Sequence, residues 1–142
     1  MRIEEVFEFD GGKHVELPYF TMSVAAGIPV PADDHVDQRL DLNEFIIKHP
    51  ATTFFVRVSG EGLDPAGVLD GDLLVVDQAL DAQDGDLVIA SINGEMTVKT
   101  FRLMRGESFL ESQNGTFLPM KIEPYVEFSV HGVVTHVIHS MK

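Results

Sequence analysis

From residue 53 to the end of the chain, apolar side chains return at close to every second position. The runs Phe54–Ser59, Asp72–Asp77, Asp86–Ile92, Glu95–Met104, Ser108–Glu111 and Glu127–His139 are rich in Val, Ile, Phe and Thr, and Gly and Asp residues separate them. Alternation of this kind puts successive side chains on opposite faces of an extended chain, so it predicts strands with one face in a core. Asn93-Gly94 stands between two of the runs. Asn-Gly favours a two-residue hairpin, because both turn positions need positive φ. The expected class is mainly β, over about residues 50–142.

What precedes that region reads differently. Residues 1–26 hold one short alternating run, Val6 to Phe9, followed by Gly11-Gly12. They suggest an extended N-terminal arm with at most one strand. Residues 24–36 combine small residues with Gly27, Pro29 and Pro31, which predicts an exposed, extended linker. Asp41 followed by Glu44 is a capping-box pattern, and Leu42, Phe45 and Ile46 give a short helix an apolar face. Pro50 should end it. The expected organisation is therefore an arm (1–26), a linker with a short helix (27–49) and a β domain (50–142).

Composition narrows the function classes. The chain of 142 residues has no cysteine, which excludes disulfides, thiolate metal sites and Cys nucleophiles. No apolar run approaches the ~20 residues of a membrane helix, and the first ten residues lack a secretory core. A soluble, cytoplasmic protein is expected, with no membrane partner. The net charge of −13 argues against a chain that grips nucleic acid unaided, since phosphate neutralisation needs clustered Lys and Arg. The charge is also uneven. Between Arg57 and Lys99 there is no basic residue but there are nine acids. Turn-forming aspartates on a solvated face account for most of them.

The stretches RVSGEGLDPAGVLDGDLLVVDQ (57–78) and GDLVIASINGEMTVKTF (85–101) resemble the self-cleaving peptidase domain of the LexA and UmuD family. The upstream AAGIPVPADDHVDQRLDLNEFIIKHP (25–50) is similar to the UmuD branch in particular. The resemblance runs from about residue 20 to the end. It implies the β peptidase fold, a homodimer, and an accessory role in damage-induced (SOS) mutagenesis, in which the protein meets the RecA filament and regulates a UmuC-like translesion polymerase. It implies no cofactor and no metal. Repressors of the family carry a DNA-reading helical module ahead of the peptidase domain. Only 26 residues precede Ala26–Gly27 here, without a basic cluster, so a LexA-like repressor is the weaker alternative and sequence-specific DNA binding is not expected.

The resemblance also implies a chemistry, self-cleavage by a Ser–Lys dyad. A hydroxyl attacks a peptide carbonyl while an unprotonated amine takes its proton. Lys99 occupies the place of the general base. Lysine ordinarily titrates near 10.4, so the role demands desolvation. On a strand Lys99 would share a face with Thr97, Phe101 and Leu103, an apolar neighbourhood. Ala26 and Gly27 occupy the scissile bond, with small side chains able to enter a narrow cleft. The nucleophile is missing: the family's Ser-Gly-Asp-Ser-Met reads Ser59-Gly60-Glu61-Gly62-Leu63, and Gly62 stands where the attacking serine belongs. Ser59 and Thr97 are the hydroxyls near in sequence, and neither holds that position. The chain is therefore expected not to cut itself. The alternative is an active autopeptidase carrying a replaced nucleophile. Three adjacent departures, Glu61, Gly62 and Leu63, favour natural divergence over one designed change.

Three other constellations carry no site. His131 and His139 share a strand face but stand ~26 Å apart, with His136 on the other face. Asp33-Asp34 and Asp84…Asp86 lack the loop pattern of a calcium-binding hand. Gly67…Gly71 has no Lys-Ser/Thr and is no phosphate loop. For the dimer, the supporting feature is the apolar run Val133–Ile138, which could pair across a two-fold axis or lie inside the core.

Overall fold

A computed structural model describes residues 2–9, 11–12, 16–20, 36–60, 66–112 and 119–142. These fall into two compact units, residues 1–10 with 49–142, and residues 11–48. The first contains strands β1 (Arg2–Glu8), β4 (Thr53–Ser59), β5 (Leu73–Asp77), β6 (Leu87–Ile92), β7 (Glu95–Met104), β8 (Glu107–Glu111), β9 (Met120–Lys121) and β10 (Phe128–Ile138). The second contains β2 (Glu16–Phe20), β3 (Val36–Asp41) and the helix α1 (Leu42–Ile46).

The eight strands of the larger unit form one antiparallel sheet in the order β1-β4-β5-β10-β6-β7-β8-β9. β1 also meets β7, so the sheet curls. Its two faces hold separate cores. Phe54, Val56, Val58, Val68, Leu74, Val76, Ile89 and Val98 pack on one. Val88, Ala90, Phe101, Leu110 and Val133 pack on the other. This follows from the register. Cross-strand partners point to the same face, and Ile89↔Val98 belongs to the first core while Val88↔Lys99 and Phe101↔Leu110 lie on the face of the second.

The six strands expected from alternation are all present, with ends moved by one residue at most. The Asn93-Gly94 turn has the two positive φ values it needs, 49° and 86°. Arg105-Gly106 makes a second such turn, at 54° and 76°. The turn role of the acids is direct. Carboxylates of Asp70, Asp72, Asp77, Asp84 and Asp86 accept from the backbone N–H groups of Gly60, Leu69, Ala79, Leu103 and Gln83. Two of them, Asp72 and Asp77, are buried rather than solvated.

Other expectations are corrected. Residues 1–26 carry two strands, not one. Arg2–Glu8 pairs with β4 as an edge of the main sheet, while Glu16–Phe20 pairs with β3 in the smaller unit. Charged residues dilute the apolar alternation in Arg2–Glu8, and backbone pairing with β4 decides its structure instead. Asp41 does cap α1, accepting from the Asn43 N–H at 2.9 Å. The helix stops at Ile46, before Pro50, which opens a 3-10 turn, and it buries none of its residues. β10 changes partner along its length: residues 128–133 pair with β6, while Val133–Ile138 pairs with β5 and, beyond Val133, has no β6 partner. Bulges in β10, between Val130 and Gly132 and between Val134 and His136, interrupt its strict alternation. The expected linker at 24–36 lies outside the described residues except for Val36, which opens β3.

Each end of β5 is fastened by a buried aspartate and a histidine. Asp72 Oδ1 lies 2.6 Å from His139 Nδ1, and Asp77 Oδ2 lies 2.5 Å from His49 Nδ1. Thr52 Oγ1 also donates to Asp77, at 3.1 Å. Burial pushes the Asp77 carboxyl up, but the hydrogen bonds from His49, the Ala79 N–H and Thr52 outweigh it and hold it below the usual carboxylate range. A carboxyl lowered by folding contributes stability above its unfolded value, near 3.9, and loses it as pH falls through the folded value. Asp77→Asn should therefore cost about 1–2 kcal/mol at pH 7. The difference from the parent should shrink toward zero below about pH 4. Urea unfolding of both chains at pH 7 and pH 3 measures it, and an equal gap at both values would contradict it.

Candidate active site

Lys99 sits near the middle of β7, between two hairpins. The Asn93-Gly94 turn sets it opposite Val88 on β6. The Arg105-Gly106 turn sets Thr100 opposite Glu111, and one more step of the same register places Lys99 opposite Ser112. The side chains meet there. Lys99 Nζ donates to Ser112 Oγ at 2.5 Å. The amine is half-buried on the face of the second core, whose Val88 is fully buried and whose Phe101 is 8% exposed. Of the apolar neighbours expected on its own strand, Phe101 is buried and Leu103 is exposed. Among the described residues Lys99 makes no ion pair, so its hydrogen-bond partner is a hydroxyl and not a carboxylate. A cleft of about 460 Å3 opens beside it, lined by Ile92, Asn93, Glu95, Met96, Thr97 and Lys99.

Lys99 thus has a hydroxyl within hydrogen-bond reach even though the nucleophile position is a glycine. The hydroxyl at hand is neither Ser59, which pairs with Arg2 at the far end of β4, nor Thr97, which pairs with Ala90. It is Ser112. The signal was in the sequence. A two-residue turn at 105–106 fixes every pair of the following hairpin, and continuing that ladder past Glu111 brings Ser112 to Lys99.

The remaining site residues, Gly62 with its neighbours Glu61 and Leu63, and the segment Ala26–Gly27, lie outside the described residues. What is described is the approach to residue 62. β4 ends at Ser59, and Gly60, at φ 93°, donates its N–H to Asp70 at 2.7 Å. No group of three or more His, Cys, Asp or Glu residues that could hold a metal ion occurs among the described residues. No helix among them is long and apolar enough to cross a membrane.

A half-buried lysine on a hairpin strand, behind the GVLDGDLLVVD block, is the arrangement the sequence resemblance leads one to look for, and comparison with known proteins agrees with that resemblance. Residues 18–135 match the family described as Peptidase S24-like. The chain belongs to this family. Among curated relatives, Protein ImpA of Salmonella typhimurium is 49% identical over 127 residues, covering 88% of this chain and 85% of its own. Protein MucA of Escherichia coli is 39% identical over 134 residues, 93% of this chain and 91% of its own. The LexA repressor of Colwellia psychrerythraea is 36% identical over 141 residues, 97% of this chain but 63% of the repressor. The S24 peptidase-like chain thus aligns with LexA/UmuD-type proteins along nearly its whole length, and the single curled β sheet is the fold of that family.

Proposed function

We propose that this chain is a UmuD-type protein of SOS mutagenesis that acts by binding rather than by cutting. It associates as a homodimer, meets the RecA filament and regulates a UmuC-like translesion polymerase, without sequence-specific DNA contact of its own. The observation that carries the reading is a combination of residues. The strand lysine Lys99 stands half-buried on the β sheet, while Gly62 gives the nucleophile position no side chain. In this reading Lys99 retains the base's place, Ala26–Gly27 is the inherited but uncut junction, and residues 1–26 stay attached.

Residues 134–138 of β10 pair with β5 alone among the described strands, so the run Val133–Ile138 stays the candidate for the dimer contact. Sedimentation equilibrium at micromolar concentration is expected to give twice the chain mass. Tagged chain is expected to retain a UmuC-like polymerase from purified components, and deletion of the gene is expected to lower damage-induced mutagenesis. Monomer sedimentation together with failure to retain the polymerase would remove the accessory-subunit reading. Retention of operator DNA would instead support a repressor.

A further inference from the structure

We propose that Lys99 and Ser112 form a second serine–lysine pair, able to take an acyl group from a small, neutral carboxylic ester. The pair takes its hydroxyl from Ser112 rather than from position 62, and it does not depend on the role in mutagenesis. Its basis is geometric. The Arg105-Gly106 turn locks the β7–β8 register, and Nζ of Lys99 and Oγ of Ser112 meet at 2.5 Å. The lysine stands on a face with buried Val88 and Phe101 and pairs with no described carboxylate. The hydroxyl partner is itself a group from which a neutral amine can take a proton, which a carboxylate is not. The cleft beside Lys99 supplies Ile92 to cover a short acyl chain, and Glu95 at its wall disfavours an anionic donor.

The step balances without a co-reactant. The neutral Lys99 amine removes the Ser112 proton as Oγ bonds to the ester carbonyl carbon, and the carbonyl electron pair moves to oxygen. Collapse of that adduct breaks the bond to the leaving alkoxide or aryloxide, which takes the proton from Lys99. The products are acyl-Ser112 and an alcohol, with the amine neutral again.

The test is acetylation of the full chain by 4-nitrophenyl acetate, mapped by peptide mass spectrometry. Acetyl-Ser112 is expected in the parent chain and is lost in Ser112→Ala. Lys99→Met should slow acetylation of Ser112 by roughly 10²-fold, with acetylation of surface amines such as Lys142 unchanged as an internal control. Lys99→Arg, which keeps the charge and bulk but offers no base, should show the same loss and serves if the methionine variant misfolds. Acetylation of Lys99 itself in place of Ser112, surface amines alone, or an unchanged Ser112 rate in both lysine variants would overturn the proposal.

Discussion

Gly62→Ser is expected to turn an inert chain into one that cuts itself. Incubated with an activated RecA filament, or at alkaline pH, the parent chain should remain a single band, while the variant should release a fragment beginning at Gly27. The size of the effect follows from what is missing. Removing the nucleophile of a hydrolase that acts through a hydroxyl and a base costs on the order of 10⁶ in rate, and the contacts that remain give only about 10³–10⁴ over uncatalysed hydrolysis. Restoring the oxygen should recover most of that span, provided the segment 61–65 sets it within reach of Lys99. The pairing of Lys99 with Ser112 adds a second expectation. A hydroxyl restored at position 62 must draw the amine away from Ser112, and a hydrogen bond of this kind is worth about 1 kcal/mol net. Gly62→Ser combined with Ser112→Ala should therefore cleave faster than Gly62→Ser alone by about fivefold. A fragment from the parent chain would show that position 62 is not where the attacking group resides. Silence of both variants, folded, would show that Glu61 and Leu63 have carried the site beyond repair.

How much of this was legible beforehand depends on which interactions decide each element. The strands from Thr53 to Ile138 were legible because local alternation and burial agree: Val56, Leu74, Ile89 and Val98 are inward residues both by pattern and by accessibility. The Asn93-Gly94 turn was legible because its backbone demands those residues. The edge strand Arg2–Glu8 was legible only through the run Val6–Phe9, and Glu16–Phe20 was not legible at all, since its formation rests on main-chain pairing with β3, which leaves no mark on composition. The place of Phe101 beside Lys99 was foreseen from strand parity, but the lysine's partner was not. Ser112 lies thirteen residues away, and finding it requires the register of a hairpin rather than a motif. The division of β10, whose residues 128–133 pair with β6 and 133–138 with β5, was equally hidden, because an apolar run looks the same whichever strand its edges meet.

β10 also contains a glycine with no room for a side chain. Gly132 sits at the β10 bulge, where a Cβ would stand 2.6 Å from Val76 Cγ1 and 3.2 Å from the Asp77 carbonyl oxygen. The Val76 side chain cannot give way. It is fully buried in the first core, opposite Val134 and Phe54 on the two flanking strands. The Asp77 backbone cannot move either, because its side chain is tied to His49, Thr52 and the Ala79 N–H. The added atoms must therefore push β10 away from β5, in the middle of an eight-stranded sheet. Overpacking of this sort costs about 1–3 kcal/mol for one methyl. Gly132→Ala is expected near the top of that range, and Gly132→Val, with two further carbons in the same space, beyond it. A loss of about 3 kcal/mol in a chain this long lowers the melting temperature by roughly 10 °C. Val76→Ala would remove the atom that Gly132→Ala strikes first, so the double variant should be more stable than the sum of the two single losses predicts. Calorimetry of the four chains measures that coupling, and strict additivity would mean that the Asp77 backbone, not the Val76 methyl, sets the limit at position 132.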